Sequence, residues 1–410
     1  MRVRRALSAA TGSVGNMKIL HTSDWHIGRT FHTHSTLDHL STVLSALVAV
    51  VRDRGIDVVA VAGDVFDNAM PSKESYAVLT GVLRDIKEAG AAVVMTSGNH
   101  DSAARLGFQS EWAGLAGIHV VTRHDEYLSP VTMHDDSGPV HFYGIPYLEP
   151  ALIRHLYPDV ELRTHEQTLR FAMDRIRLDL QARGGRSVVL SHCFVAGVAA
   201  AAEASTVERD ITVGGLDVVP LEVFDGPSYV ALGHIHGRAR LSDRVRYSGA
   251  PLHYSFAEAG KPRGAWLVEL SGAQNTGDAA HPTVEWIDLP VPRRLTILEG
   301  TLQELLTDEQ YTPRQSDWVK AILTDPVRPL DAMRSLQERF PHCITLEHRP
   351  VLMETTGHAS YADRLRSAPT DPDIVAGFLS FVRNGVGPSD FESALIAELL
   401  AEQGAREANS

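Results

Sequence analysis

The chain reads as an α/β protein: a two-sheet sandwich flanked by helices, followed by a small α+β domain and a pair of C-terminal helices. Three observations predict this. Apolar runs of strand length alternate with stretches of helical periodicity as far as residue 290. Polar clusters follow directly on the ends of several of these runs. Two prolines in LPVPRR (289–294) then punctuate the chain before a second, shorter alternation.

In order, MKILHTS opens a strand at Met17, and a helical pattern runs from Thr36 to about Arg54. DVVAVAGD follows, then a helix over Lys73 to Glu88, then AAVVMTSGNHD. This is βαβαβ, so the sheet is at least partly parallel, with its functional loops at the carboxyl ends of strands. Further strands are VHFYGIP (140–146), SVVLSH (187–192), YVALGH (229–234), VRYSGA (245–250) and GAWLVEL (264–270), with a helix over His165 to Gln181. The last two strands read as antiparallel edge or second-sheet strands, and so suggest a sandwich. The domain expected over 17–290 is followed by one over 291–360, where RRLTILEG, DWVKAILTDP and CITLEHRP alternate with helical TLQELL and PLDAMRSLQERF. Residues 351–370 are polar and irregular. The 361–410 segment ends in two amphipathic helices, DPDIVAGFLSFVRN and DFESALIAELLAEQ, split by GVGPS. Residues 1–16 carry three arginines, but ALSAA falls short of the ~7–15 apolar residues of a signal peptide. A disordered, dispensable extension before Met17 is the expectation.

Composition narrows the function. The 410 residues carry a formal charge of −13, which argues against coating nucleic acid through bulk positive charge. A local basic groove or bound metal is compatible with it. Cys193 and Cys343 are the only cysteines and have no paired spacing, so neither a disulfide framework nor a thiolate zinc site is implied. That fits a reducing, cytoplasmic setting. No apolar run approaches the ~18–20 residues of a bilayer span. No P-loop motif occurs in the sequence.

Histidine stands out at 20 residues, several beside carboxylates. The clusters are SDWH (23–26), GDVFD (63–67), SGNHD (97–101), LSH (190–192) and GHIH (233–236). Singly each is unremarkable: D-x-H is usually a surface turn, GD and GNHD suit turns and caps, and GHIH suits a core pair. Together, all at strand ends, they converge on one crevice. The pooled groups are Asp24, His26, Asp64, Asp67, Asn99, His100, Asp101, His192, His234 and His236. Carboxylate, imidazole and amide without thiolate suit divalent Mn, Fe, Co or Zn. Asp64 is the expected bridge between two ions ~3.5–4 Å apart. Two divalent ions set against Asp24 and Asp64 leave net positive charge to receive an anion such as phosphate, with water activated for in-line attack.

These five motifs, in this order, resemble the calcineurin-like metallophosphoesterase family. The resemblance implies that one metal takes Asp24, His26, Asp64 and His236, and the second Asp64, Asn99, His192 and His234. It implies that His100 is catalytic, touching the scissile phosphate and helping the leaving group depart. Asp67 is then expected to orient His100, and Asp101 to fix its loop.

The flanks SDWHIGRTFH, GNHDSAARLGF, ALGHIHGRARL, YSGAPLHYSF and PRRLTILEGTL resemble the SbcD group of bacterial nuclease subunits, over residues 17–360. Asp67 is the bacterial form of a position that is histidine in archaeal relatives. This resemblance implies a nuclease of DNA repair, recombination and replication: a 3′–5′ double-strand DNA exonuclease and a hairpin or blocked-end endonuclease. It implies two divalent ions, foremost Mn with Mg, Fe or Zn as alternatives, and no ATP site in this chain. It implies a capping domain over 291–360, a coiled-coil SbcC ATPase partner gripped by the C-terminal helices, and a homodimer of this subunit. Arg29, His32, His34, Arg105, Arg238 and Arg240 are candidates for DNA phosphate contacts. Two alternatives are a small-molecule metallophosphodiesterase, which a labelled duplex would separate, and a non-catalytic tether of DNA ends, which the full set of motif residues disfavours.

Overall fold

Strand Met17–Thr22 lies near the middle of a six-stranded sheet. It pairs parallel with Val58–Ala62 and antiparallel with Gly264–Leu270. The sheet order is Thr283–Asp288, Gly264–Leu270, Met17–Thr22, Val58–Ala62, Ala92–Thr96, Ile118–Val121. Helices Leu37–Arg54 and Lys73–Glu88 make the crossovers of the parallel part. The second helix is capped by Ser72, whose hydroxyl accepts from Ser75 N at 3.2 Å. The computed structural model describes residues 15–196, 218–272, 282–350, 370–383 and 386–408.

A second six-stranded sheet runs Ala239–Arg240, Val245–Tyr247, Tyr229–Gly233, Arg186–His192, Gly138–Ile145, Val131–Asp135. Period-two alternation sorts each strand's side chains between two faces. Met17, Ile19, Val58, Ala60 and Val94 of the first sheet pack against Phe142, Val188, Leu190 and Ala231 of the second. Each such buried Val, Leu, Ile, Met or Phe contributes ~1.5–3 kcal/mol. The opposite parity, Leu20, Val59, Val61, Val93 and Met95, packs with Leu40, Val43, Leu47, Val82 and Ile86 of the crossover helices. Helix His165–Arg183 covers the outer face of the second sheet through Leu169, Ala172, Met173 and Ile176. At the amino end of the first strand, buried Arg186 donates to Asp135 and to the Leu270 and Gly138 carbonyls, fastening the two sheets.

The sandwich expected from the sequence is present. Val245–Tyr247 does lie in the second sheet, but it pairs parallel with Tyr229–Gly233 and is antiparallel only to Ala239–Arg240. Gly264–Leu270 is antiparallel but interior, because Thr283–Asp288 forms the edge. That edge strand has only half-buried and exposed residues, Val284, Trp286 and Ile287 being the half-buried ones, and no fully buried apolar run marks it in the sequence.

The chain divides into two compact units, Met1–Pro292 and Arg293–Ser410. The second unit holds a parallel sheet of Leu295–Gly300, Trp318–Leu323 and Cys343–His348, with helices Leu302–Thr307 and Ala332–Arg339. Its core is Leu298, Leu305, Val319, Ala321, Leu323, Leu336 and Phe340. Helices Asp371–Val382 and Asp390–Ala408 complete it. Among the described residues no helix is long and apolar enough to cross a membrane. Residues 1–14 of the expected extension and 351–369 of the irregular stretch lie outside the described residues.

Candidate metal centre

The strand ends deliver their polar groups to one place, and the backbone is bent to do so. Asp24 (φ +52°), His26 (φ +45°), Asp64 (φ +49°) and His234 (φ +104°) all have positive φ without being glycine. Such positions cost ~1–3 kcal/mol each and persist only when the surroundings fix them. Here the Asp24 and His26 amides donate to the Gly63 and Asp64 carbonyls at 3.1 and 3.0 Å. The motif glycines are needed for close approach: a Cβ on Gly98 would lie 2.1 Å from Asp64 Oδ1, and one on Gly233 1.9 Å from the Ala62 oxygen.

Asp64 is central. Its Oδ2 lies 3.6 Å from His26 Nε2 on one side and 3.3 Å from His192 Nε2 on the other. Beside His26, His236 Nε2 approaches His26 Nε2 at 3.1 Å. Beside His192, the Asn99 Oδ1 is 3.0 Å from His192 Nε2 and 3.3 Å from His234 Nδ1. Asp24 belongs with His26 and His236 in one close group of donors, and with Asp64 and His192 in another. The centre therefore has two poles, with Asp24 in both groups of donors and Asp64 Oδ2 between His26 and His192.

These residues fit divalent ions. His236 Nδ1 faces the Glu258 carboxylate at 3.1 Å and His26 Nδ1 faces that of Asp67 at 3.2 Å. The His236 ring then carries its proton on Nδ1 and turns its Nε2 lone pair toward His26 Nε2, an arrangement that suits a cation between them. Burial raises Asp24 to about 6 and pushes His26 down to about 4. Burial would also depress His192, but the Asp64 and Asp24 carboxylates outweigh it and raise that imidazole to about 9. Asp64 is held well below the usual carboxylate range, its burial overcome by His192 and His26. The residues that could hold metal are Asp24, His26 and His236 in one close group and Asp24, Asp64 and His192 in another, with Asn99 and His234 beside His192.

Around the poles, His192 Nδ1 donates to the Ala62 oxygen at 2.9 Å, and Asp24 Oδ1 accepts from the His234 amide at 2.9 Å. Asp101 accepts from the amides of Val65 (3.0 Å), Phe66 (2.8 Å) and Gly98 (2.9 Å), so it clamps the two loops rather than facing the crevice. His100 lies beside the centre: its amide donates to Asp64 Oδ1 at 2.9 Å and its ring stands edge-on to His26. Asp67 meets His100 through its main-chain oxygen, 2.7 Å from Nδ1, while its carboxylate holds His26 and Arg29. Sequence reasoning missed Tyr254, which donates to the Trp25 oxygen at 2.6 Å, and the buried pair Glu258–Arg263 behind His236. In YSFAEAGKPRG these look like any loop residues, and only their burial gives them away.

The basic candidates are more scattered. Arg29 is half-buried, bonded to Asp67 and stacked over Tyr254. His32 and His34 are exposed, His32 against the Phe31 ring. Arg105 is exposed and donates to the Ala69 oxygen at 3.2 Å. Arg238 is exposed over the Trp286 ring, and Arg240 is exposed and paired with Asp243.

The chain is similar to several solved structures. TT1561 of Thermus thermophilus is 14% identical with a TM-score of 0.38, covering 67% of this chain and 99% of that one. A dimetal phosphatase from Danio rerio is 14% identical with a TM-score of 0.39, over 67% and 99%. GAP50, the anchor in the inner membrane complex of Plasmodium, is 9% identical with a TM-score of 0.39, over 84% and 100%. Residues 291–373 match the SbcD_C family, described as the type 5 capsule protein repressor C-terminal domain. That match bears out the SbcD resemblance read from the flanking residues. Residues 17–238, more than half of the 410, match the calcineurin-like phosphoesterase family, and the chain belongs to it.

Proposed function

We propose that this chain is the nuclease subunit of an SbcCD-type complex, hydrolysing DNA phosphodiesters as a 3′–5′ double-strand exonuclease and as a hairpin or blocked-end endonuclease. The observation that carries the phosphodiester chemistry is the shared Asp64, with imidazole nitrogens 3.3 and 3.6 Å from the same oxygen. Bound there, two divalent ions, Mn foremost, supply Lewis acidity and an activated water. Asn99, His192, His234 and His236 add donors without adding negative charge. His100, anchored through Nδ1 on the Asp67 oxygen, keeps Nε2 for the proton of the departing sugar oxygen.

The choice of DNA rests on the match of residues 291–373 to the SbcD_C family, together with the SbcD-like flanks. Arg29, His32, Arg105 and Arg238 are the residues of this chain assigned to phosphate contacts on duplex DNA. The SbcC ATPase and a second copy of this subunit are the partners in this reading, and the cytoplasm is the setting. The test is cleavage of a labelled linear duplex and a hairpin with Mn²⁺, with and without SbcC and ATP. Shortening from 3′ ends and ATP-stimulated hairpin opening are expected. Hydrolysis of bis(p-nitrophenyl) phosphate with no DNA cleavage under any of these conditions would favour a small-molecule phosphodiesterase instead.

A further inference from the structure

Glu258 ends a short turn, Phe256–Glu258, far from any motif, yet its side chain is fully buried. An ionised carboxylate in that setting is costly unless every lone pair is engaged. Here Oε1 faces His236 Nδ1 at 3.1 Å, and Oε2 accepts from Arg263 at 2.6 Å and from the Tyr254 amide at 2.9 Å. Arg263 is 2% exposed and also donates to the His236 main-chain oxygen. The pair thus grips His236 at both its ring and its backbone.

We propose that Glu258, held by Arg263, is a positioning residue that fixes the tautomer and direction of His236 and so governs one of the two ion positions and not the other. This rests on the two-metal reading of the centre. An imidazole that donates Nδ1–H to a carboxylate presents Nε2 as a fixed and more basic ligand. At the Asp24 pole Glu258 gives His236 this backing, and the Asp67 carboxylate lies 3.2 Å from His26 Nδ1. At the other pole, His192 Nδ1 donates to the neutral main-chain oxygen of Ala62 at 2.9 Å, with the Asp24 carboxylate farther off at 4.0 Å. A merely structural ion pair would tie the 254–263 loop to the sandwich without distinguishing the two poles.

The test is Mn²⁺ titration of the full chain, followed by calorimetry and by the electron paramagnetic resonance signal of the spin-coupled ion pair. Wild type should take up two ions. Glu258→Gln should weaken one site by about 10–100-fold and leave the other unchanged. Glu258→Asp, which keeps the charge on Arg263, should fall between the two and decides the matter if the glutamine variant does not fold. Wild-type binding at both sites in a folded variant would overturn the proposal, as would equal weakening of both. A wild-type chain that takes up no second ion would overturn the two-metal reading itself, and this proposal with it.

Discussion

Asp64 Oδ2 and His192 Nε2 lie 3.3 Å apart with both side chains buried, so two groups expected to share a metal ion here form an ion pair with one another. A proton and a metal ion compete for that imidazole nitrogen. With His192 raised to about 9, metal uptake between pH 7 and 8 should release its proton, and apparent Mn²⁺ affinity should climb until about pH 9. Calorimetry in buffers of different ionisation enthalpy measures the proton count directly. Linkage gives the matching sign for stability. The folded-state value lies above the ordinary 6.5, so the pair stabilises the metal-free protein below pH 6.5 and that contribution is lost as pH rises through about 9. Metal affinity independent of pH over this window would show that His192 is not a ligand.

Asp64→Ala should abolish binding of both ions together with phosphodiesterase activity, because its Oδ2 lies 3.6 Å from His26 at one pole and 3.3 Å from His192 at the other. Elemental analysis of the purified variant is the measurement. Two ions per chain in Asp64→Ala would remove the bridge from the reading.

His100→Leu should keep both ions and lose activity by about 10²–10⁴-fold, the range for a lost general acid. Its ring stands edge-on to His26, and its Nδ1 is engaged by the Asp67 main-chain oxygen at 2.7 Å. Metal content beside turnover on bis(p-nitrophenyl) phosphate separates the two effects. Wild-type turnover would take His100 out of the mechanism.

Much of this centre was legible because its residues sit at strand ends, where a short apolar run followed by polar letters announces both the strand and its loop. Helix Lys73–Glu88 was readable to the residue for a similar reason: Pro71 and Ser72 punctuate its start. The missed features have no such local sign. Glu258 and Arg263 meet His236 only after the chain has folded back, and their letters match an exposed salt bridge. Asp67 was expected to orient His100, but the residue letter does not say through which atom. The bend at 63–67 turns the Asp67 main-chain oxygen toward His100 and leaves the carboxylate beside His26 and Arg29.

Gly98→Ala tests the packing of the loop against Asp64 without replacing a ligand. The added methyl would sit 2.1 Å from Asp64 Oδ1 and 2.4 Å from the Asp64 amide, neither of which is the end of a flexible chain. Overpacking of this kind costs ~1–3 kcal/mol, so the melting temperature should fall and metal affinity with it. An unchanged metal isotherm would mean that the loop yields more easily than its clamp by Asp101 implies.

The last prediction concerns helices Asp371–Val382 and Asp390–Ala408. They are tied to one another by Arg383, which donates to both oxygens of Glu392 at 2.9 and 2.8 Å. Yet Phe378, Val382, Phe391 and Leu399 remain 47%, 52%, 78% and 55% exposed. Scattered single apolar residues are ordinary on a surface, but a helix pair that leaves Phe391 and Leu399 this exposed is suited to receive another apolar element. A coiled-coil partner supplies such an element, which is why the proposed contact with SbcC is placed here. Deleting residues 371–410 should leave Mn²⁺ binding and cleavage of simple duplexes by the isolated subunit intact, since every proposed ligand lies between Asp24 and His236. The same deletion should abolish co-purification with SbcC and the stimulation by ATP. A truncated chain that still binds SbcC with undiminished affinity would place the docking surface elsewhere. One that loses its metals would show that these helices support the centre itself.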